Sequence, residues 1–368
     1  MKVLVVDDSI AYRKTIAQIL NSQEGIEVVG EANHGKIALN MLKTKEVDLI
    51  TLDMEMPELN GIETLKALKE LDCKAKVLIF AAQTARAAGE AITALEFGAL
   101  DIIPKPSQDF ANFEQAYKYV EELLLPKVLE LKQSSELEKA KSSIPLGNAL
   151  ANRPVSQPKK YSPIDVNSFI PEAIVIASST GGPNALETII ETIKEKPRVP
   201  ILIAQHMPPV FTLSLANRLS KISGLSVVEA RNGEPITPGR VYIAPGDYHM
   251  EVIAEEIGKE KRIFLHKKPK RNDVRPCANF LFESAAKTWG NKLLGVVLTG
   301  MGADGAEGAV AIKEAKGAVI IQDKETCTVW GMPRAAFEFG AYDKMLGIDA
   351  IASLVSKLSG DALEVLSS

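Results

Sequence analysis

At 368 residues the chain is long enough for two or three domains of about 150 residues each. Its 46% apolar and 24% charged residues are ordinary globular values that exclude wholesale disorder. The net charge of −4 is unevenly spread. Residues 1–125 hold 13 Lys+Arg against 20 Asp+Glu and the remainder sums to +3, which gives no support to a nucleic-acid-binding chain.

Residues 1–125 alternate short β-branched runs (Val3–Val6, Ile26–Gly30, Asp48–Leu52, Val77–Phe80, Leu100–Ile103) with amphipathic stretches such as Ala11–Leu20 and Ile62–Leu71. Five such repeats with near-continuous apolar strands predict a parallel sheet covered on both faces. From Pro126 the character changes. Leu129–Lys141 is polar and reads as a lone helix, and 142–171 carries five prolines without periodicity, the mark of an extended linker. A second βα pattern begins at Ala173–Ala177 and continues through Val199–Ala204, Leu293–Thr299 and Ala318–Gln322. Between them, Arg240–Ala244 and Arg262–His266 read as hairpin strands. The expected organisation is a domain over 1–125, a linker over 126–171 and a second domain over 172–364.

Cys73, Cys277 and Cys327 are odd in number and lack CxxC spacing, so they fit neither a disulfide framework nor a zinc site and suit a reducing compartment. Two acids directly follow the first apolar run, MKVLVV, which is unlike a signal peptide. No apolar stretch approaches the roughly 18 residues of a membrane helix. A soluble, cytoplasmic protein without membrane insertion is expected.

Open α/β sheets bind ligands beyond the carboxyl ends of their strands. In the first domain those ends carry Asp7 and Asp8, then Asp53, then Lys105. Converging carboxylates repel, and oxygen-only ligation points to Mg²⁺. A lone Asp there would more often cap a helix, but DD, LDMEMPELNG and IPKP at βα spacing favour a site. On these motifs residues 1–120 resemble the receiver domains of two-component response regulators. The resemblance implies a flavodoxin-like fold, Asp53 as phosphoacceptor, a metal held by Asp8, Asp53 and the Glu55 carbonyl with Asp7 assisting, and a histidine kinase as phosphodonor. Receivers generally place a Ser or Thr after strand four. Here Ala81 and Ala82 stand there and Thr84 comes three residues later, so the conformational switch is expected to be weak or differently built.

In the second domain His206 ends the run ILIAQ ahead of Met207-Pro208-Pro209, where a general base would face a ligand crevice. A single such His is more often structural. Two further strand ends change the balance: Ala177-Ser178-Ser179-Thr180-Gly181-Gly182-Pro183, a tight strand-to-helix turn, and Gly300-Met301-Gly302-Ala303-Asp304-Gly305. Ser179, His206 and Asp304 then read as nucleophile, base and orienting acid, although each of Ser179 and Asp304 taken alone reads equally as a helix cap. Nucleotide binding is disfavoured by the lack of GxGxxG and GxxxxGK[ST].

The segments SSTGGP, AQHMPP, YIAPGDYHM, VLTGMGADGA and CTVWGMPRAA resemble the catalytic domain of the chemotaxis protein-glutamate methylesterase (CheB) family. The receiver–linker–esterase order extends that resemblance to the entire chain. It implies a doubly wound, mainly parallel α/β sheet with a hairpin insertion. It also implies hydrolysis of glutamate γ-methyl esters on methyl-accepting chemoreceptors, deamidation of receptor glutamines, Met301 as an oxyanion donor, Thr180 as a positioning residue and no catalytic-domain cofactor. The family usually reads GASTGG, so Ser178 adds a hydroxyl beside Ser179; register with TGG selects Ser179. An unphosphorylated receiver that covers the Ser179 crevice is the simplest expected coupling. A receiver-linked adaptor with a vestigial triad, or an esterase or amidase of another signalling pathway, remains as an alternative. Lys261–Arg275, with seven basic residues against Asp273, reads as a solvated face or a dock for an acidic helix.

Overall fold

Most runs of Val, Ile and Leu become strands because they are buried on both faces, as at Leu49–Asp53, Ile201–Gln205 and Leu293–Val297, which a helix-covered parallel sheet provides; Glu27–Ala32, at an edge, is only half-buried. The computed structural model describes residues 1–106, 113–141, 161–254 and 260–360. Its contacts divide the chain into two units, Met1–Asn148 and Ala149–Ser368.

In the first unit, strands β1 (Lys2–Val6), β2 (Glu27–Ala32), β3 (Leu49–Asp53), β4 (Lys76–Ala81) and β5 (Asp101–Pro104) alternate with helices α1 (Ile10–Asn21), α2 (Gly35–Leu42), α3 (Gly61–Glu70), α4 (Ala85–Glu96) and α5 (Phe113–Lys141). The sheet order is β2-β1-β3-β4-β5, with every pairing parallel. The order reverses between β1 and β3, so a crevice opens above their carboxyl ends. Asp7 and Asp53 lie at that point. The helices start where the sequence supplies caps: the Asn60 side chain accepts from Glu63 N while Glu63 reaches back to Asn60 N, a reciprocal satisfaction of free amides.

Pro126 lies inside α5 instead of at a boundary. An interior proline costs about 3 kcal/mol by removing a donor and crowding the preceding turn. Val120, Leu124, Val128 and Leu131, all at most 1% exposed, recur on one helical face across it, and their burial outweighs that cost. The span expected as linker, 126–171, therefore divides three ways. It is helix to Lys141, residues 142–160 lie outside the described residues, and 161–171 rests on the second unit. There Ile164 N donates to Asp343 Oδ1 at 2.7 Å and Val166 is buried. Asp343 is itself paired with the buried Lys313 at 2.5 Å and accepts from Val319 N, so this interior charge is fully partnered.

The second unit runs β6 (Ala173–Ser178), α6 (Gly182–Thr192), β7 (Ile201–Gln205), α7 (Phe211–Ser223), β8 (Ser226–Glu229), β9 (Arg240–Ile243), β10 (His249–Ala254), β11 (Lys261–His266), α8 (Ala278–Trp289), β12 (Leu293–Val297), α9 (Ala306–Glu314), β13 (Ala318–Gln322), α10 (Met332–Glu338), β14 (Lys344–Leu346) and α11 (Ile348–Ser359). Seven strands form a parallel sheet in the order β14-β13-β12-β6-β7-β9-β8, and β10 and β11 form a separate antiparallel pair. The expected hairpin over Arg240–Ala244 is corrected here: β9 joins the main sheet between β7 and β8. Its Val241, Tyr242 and Ile243 are wholly buried, and that continuous run is what a two-faced strand requires. The short edge strands β8 and β14 have no apolar run long enough to mark them in sequence.

Candidate active sites

Both sites stand at carboxyl ends of parallel strands. In the first unit β1 delivers Asp7, 1% exposed, and β3 delivers Asp53, 3% exposed. Lys105, just past β5, brings Nζ to 3.0 Å from Asp7 Oδ2 and 2.7 Å from Asp53 Oδ2. Burial pushes the Asp53 carboxyl up to about 6 against the pull of Lys105, with Asp7 adding to the rise. Burial likewise raises Asp7. Burial opposes the charge on Lys105, yet the two carboxylates prevail and raise its pKa.

Asp8 completes the cluster: oxygens of Asp7, Asp8 and Asp53 lie within 4.8 Å of one another. Oδ2 of Asp7 and of Asp53 is buried with the Lys105 ammonium as its one partner. Three converging carboxylates with a single ammonium between them form an oxygen-only set that fits a hard divalent cation. Glu55, whose amide reaches Asp53 Oδ1 at 3.3 Å, lies beside it. Ala81 ends β4 buried at 1%, and Thr84 is spent on helix α4, accepting from Ala87 N at 3.2 Å. No side-chain hydroxyl therefore stands at the expected switch position.

In the second unit the register Ser178↔Gln205 sets the next residues, Ser179 and His206, side by side at the ends of β6 and β7. His206 N donates to Ser178 O at 3.0 Å, and Ser179 N donates to Thr299 O, past the end of β12, at 3.1 Å. The turn after Ser179 depends on Gly181 in the left-handed region (φ 75°), where a Cβ would meet Thr328 Oγ1 at 2.3 Å. Thr180, buried at 2%, offers its carbonyl to Thr299 Oγ1. A Cβ at Gly300 would stand 2.7 Å from Ser179 Cβ, so the third loop closes against Ser179 only as glycine. That loop is stitched down by Gly300 N to Val329 O at 3.0 Å and Met332 N to Gly300 O at 2.8 Å. It carries Met301 between Gly300 and Asp304.

His206 Nε2 and Asp304 Oδ2 are 2.7 Å apart. Asp304 is 1% exposed and surrounded by donors: Ala278 N at 2.5 Å, Asn279 N at 3.0 Å, Gly305 N at 2.9 Å and the Cys277 thiol at 3.0 Å. Burial alone would raise its pKa. His206, then Cys277 and the helix amides, reverse that and hold the carboxyl below its usual range. Burial and the facing Asp304 drive the Cys277 thiol far up, so it stays a protonated donor. Among the described residues no hydrogen bond joins Ser179 Oγ to His206; free enzymes often close this contact only on substrate.

Sequence comparisons resolve what these sites belong to. Residues 174–355 match the model of the CheB methylesterase domain, and residues 3–117 match that of the response regulator receiver domain. The chain is 39% identical to the protein-glutamate methylesterase/protein-glutamine glutaminase of Clostridium acetobutylicum over 97% of each chain. It is 38% identical to the protein of that name from Pyrococcus abyssi, over 96% of this chain and 92% of the other. The catalytic domain of Thermotoga maritima CheB methylesterase aligns at 45% identity and a TM-score of 0.49, covering 51% of this chain and 98% of that one. This chain belongs to the CheB methylesterase family.

Within this CheB-family chain the structure brings Ser179, His206 and Asp304 to one edge of the sheet, and Asp7, Asp8, Asp53 and Lys105 to one crevice. His249 and His266 pair across β10 and β11. His266 binds Glu251 at 2.6 Å. Met332 is buried, its sulfur lying where a Gly300 Cβ would be, so it forms a wall of the site. The basic run is largely neutralised by its own neighbours: Lys267 and Arg275 pair with Asp247, Lys268 with Glu251, and Arg271 with Glu283 and Glu307.

Sequence reasoning missed Gln205, Cys277 and Asn279. Gln205 left a signal, since a lone amide ending the run ILIA is an anomaly in a buried strand. Asn279 accepts from Gly305 N at 3.0 Å and Gly308 N at 2.7 Å, bracing the Asp304 loop. Neither Asn279 nor Cys277 lies near that loop in sequence, so no local pattern marks them.

Proposed function

We propose that the chain hydrolyses glutamate γ-methyl esters on methyl-accepting chemoreceptors, giving glutamate and methanol, and deamidates specific receptor glutamines, under control of phosphorylation at Asp53. The observation that carries the reading is the 2.7 Å pair of His206 Nε2 with Asp304 beside the Ser179 turn. Because Nε2–H is directed to the carboxylate, Nδ1 keeps its lone pair for the Ser179 hydroxyl.

Ser179 Oγ attacks the γ-carbonyl as His206 takes its proton. The imidazolium is stabilised by Asp304, whose ionised state is secured by the donors around it. Backbone N–H groups, Met301 among them, hold the oxyanion; one such donor is typically worth about 3 kcal/mol. The tetrahedral centre collapses, the C–O bond to methoxide breaks and His206 returns the proton, releasing methanol, or ammonia from an amide. Water then adds to the acyl carbon with His206 again as base, freeing glutamate and Ser179. Thr180 holds the turn through its carbonyl.

In the receiver, Asp53 is the phosphoacceptor and a histidine kinase the donor. Asp8, Asp53 and the Glu55 carbonyl would hold Mg²⁺, with Asp7 assisting, and the ion would offset the charge of an incoming phosphoryl group. Lys105 supplies the protein's own positive charge at that point. The reading places the protein in the cytoplasm, where receptor helices and kinase are accessible.

The test is methanol release from methylated receptor, with and without a small phosphodonor. Wild type is expected to release methanol faster with the donor present, and Ser179→Ala none above background. Equal release by Ser179→Ala would end the serine-hydrolase reading, and an Asp53→Ala chain still stimulated by the donor would end the phosphoacceptor assignment.

A further inference from the structure

The family motif leaves the hydroxyl of Ser178 without a task, and the catalytic chemistry leaves Gln205 without one. Both are wholly buried, and they face each other: Ser178 Oγ donates to Gln205 Oε1 at 2.6 Å. The other end of that amide is fixed by chemistry, because Nε2 meets two carbonyl oxygens, which only accept. It donates to Ser179 O at 3.0 Å and to His206 O at 3.2 Å. One side chain thus grips the backbone of the residues read above as nucleophile and base.

The surroundings leave the amide little freedom. Gln205 and Ser178 are paired in register across β6 and β7, so their side chains share one face of the sheet, and Ser179 and His206 follow directly after them in the chain. A Cβ at Gly182 would come within 2.2 Å of Gln205 Oε1 and 2.8 Å of Ser178 Cβ, so the first turn of α6 closes directly over the pair. A buried glutamine merely satisfying its own polarity would accept any partners. Here both acceptors belong to the two groups whose separation sets the proton transfer.

We propose that Gln205, oriented by Ser178, is a positioning residue that fixes Ser179 and His206 relative to each other. The inference rests on the reading of those two residues as nucleophile and base. Misplacement by about 1 Å costs on the order of a hundredfold in rate, which sets the expected scale. Ser178→Ala should act only through Gln205, so the two changes should not add.

The test is a double-mutant cycle in the full chain with Ser178→Ala, Gln205→Met and the double variant. Melting temperature, the rate of Ser179 labelling by a fluorophosphonate, and kcat and KM for methanol release are measured for each. Gln205→Met is expected to slow labelling and kcat about a hundredfold, and Ser178→Ala about tenfold, with KM within about twofold. Adding Ser178→Ala to Gln205→Met should change the rates by less than about twofold. The proposal is overturned if the folded single variants label within twofold of wild type, or if Ser178→Ala slows both backgrounds equally. Should Gln205→Met fail to fold, Ser178→Ala decides alone, its labelling rate supporting or overturning the proposal. Failure of wild type itself to be labelled would instead remove the hydrolase reading beneath it.

Discussion

Asp53 and Asp304 are both buried carboxylates at the ends of parallel strands, and their acidities move in opposite directions. Asp53 is raised to about 6, with one amide at Oδ1 and one ammonium at Oδ2. Asp304 is lowered, because three backbone amides, a thiol and an imidazole converge on it. Burial is the same in kind at both; the difference is the number of donors. On the proposed function the receiver carboxylate is left for a cation or phosphoryl group to complete, whereas Asp304 already has its donors. A site that must change state is left unsatisfied, and one that must hold still is saturated.

The largest effect that sharpens this contrast is expected from Asp304→Asn. The amide would keep volume but offer the wrong partner to His206 and to the donors around it, and kcat should fall about 10⁴-fold with KM little changed. The same variant tests the acidity. A carboxyl with a depressed folded pKa contributes stability that is present above its unfolded value and lost as pH falls through the folded one. Asp304→Asn should therefore cost about 1–3 kcal/mol at pH 7, and the deficit against wild type should shrink on acidification below about pH 4. A deficit independent of pH would mean that Asp304 is not held ionised by its neighbours.

The next test addresses the unfinished site. A cation that binds the folded receiver alone stabilises it by about 2.7 kcal/mol at a hundred times its dissociation constant. Magnesium titrated into the chelator-treated full chain should raise the melting of the receiver transition in wild type and leave Asp53→Ala nearly unmoved. Equal shifts in both would place the ion elsewhere.

How much of this was legible in the sequence differs between the two sites for a physical reason. The receiver cluster comes from strand ends, and a strand of apolar residues ending in acid announces itself: Val3–Val6 before Asp7, and Leu49–Leu52 before Asp53. Ser179, His206 and Asp304 were legible in the same way. The groups that make Asp304 an ionised fixture were not, because Cys277 and Asn279 reach it from the start of α8, over twenty residues upstream. Parallel sheets put such neighbours together through tertiary packing, and no short-range period encodes it. Helix α5 runs through Pro126 because its buried face overrides local propensity. Strand β9 was misassigned since four residues carry too little pattern to separate an edge hairpin from an inner parallel strand.

The smallest expected effect concerns Ala81, where the unfinished site lacks even the hydroxyl a receiver usually has. Ala81 is buried, and its carbonyl accepts from Lys105 N at 2.8 Å, so the end of β4 is tied to the residue whose ammonium faces Asp53. A serine there would add one donor toward a phosphoryl group on Asp53 and cost little volume. A hydrogen bond to a charged acceptor is worth about 1.5 kcal/mol net at its lower range, which is roughly tenfold on any equilibrium it biases. Part of that is absorbed by desolvating the new hydroxyl in the unphosphorylated state, so Ala81→Ser should enlarge phosphodonor stimulation of methanol release about threefold. Basal release should be unchanged, since the substitution lies in the first unit and the residues that hold Ser179 lie in the second. If stimulation stays at the wild-type level while the phosphorylated receiver is longer-lived, the hydroxyl binds phosphate without moving the fold, and the switch of this chain runs through residues other than the end of β4.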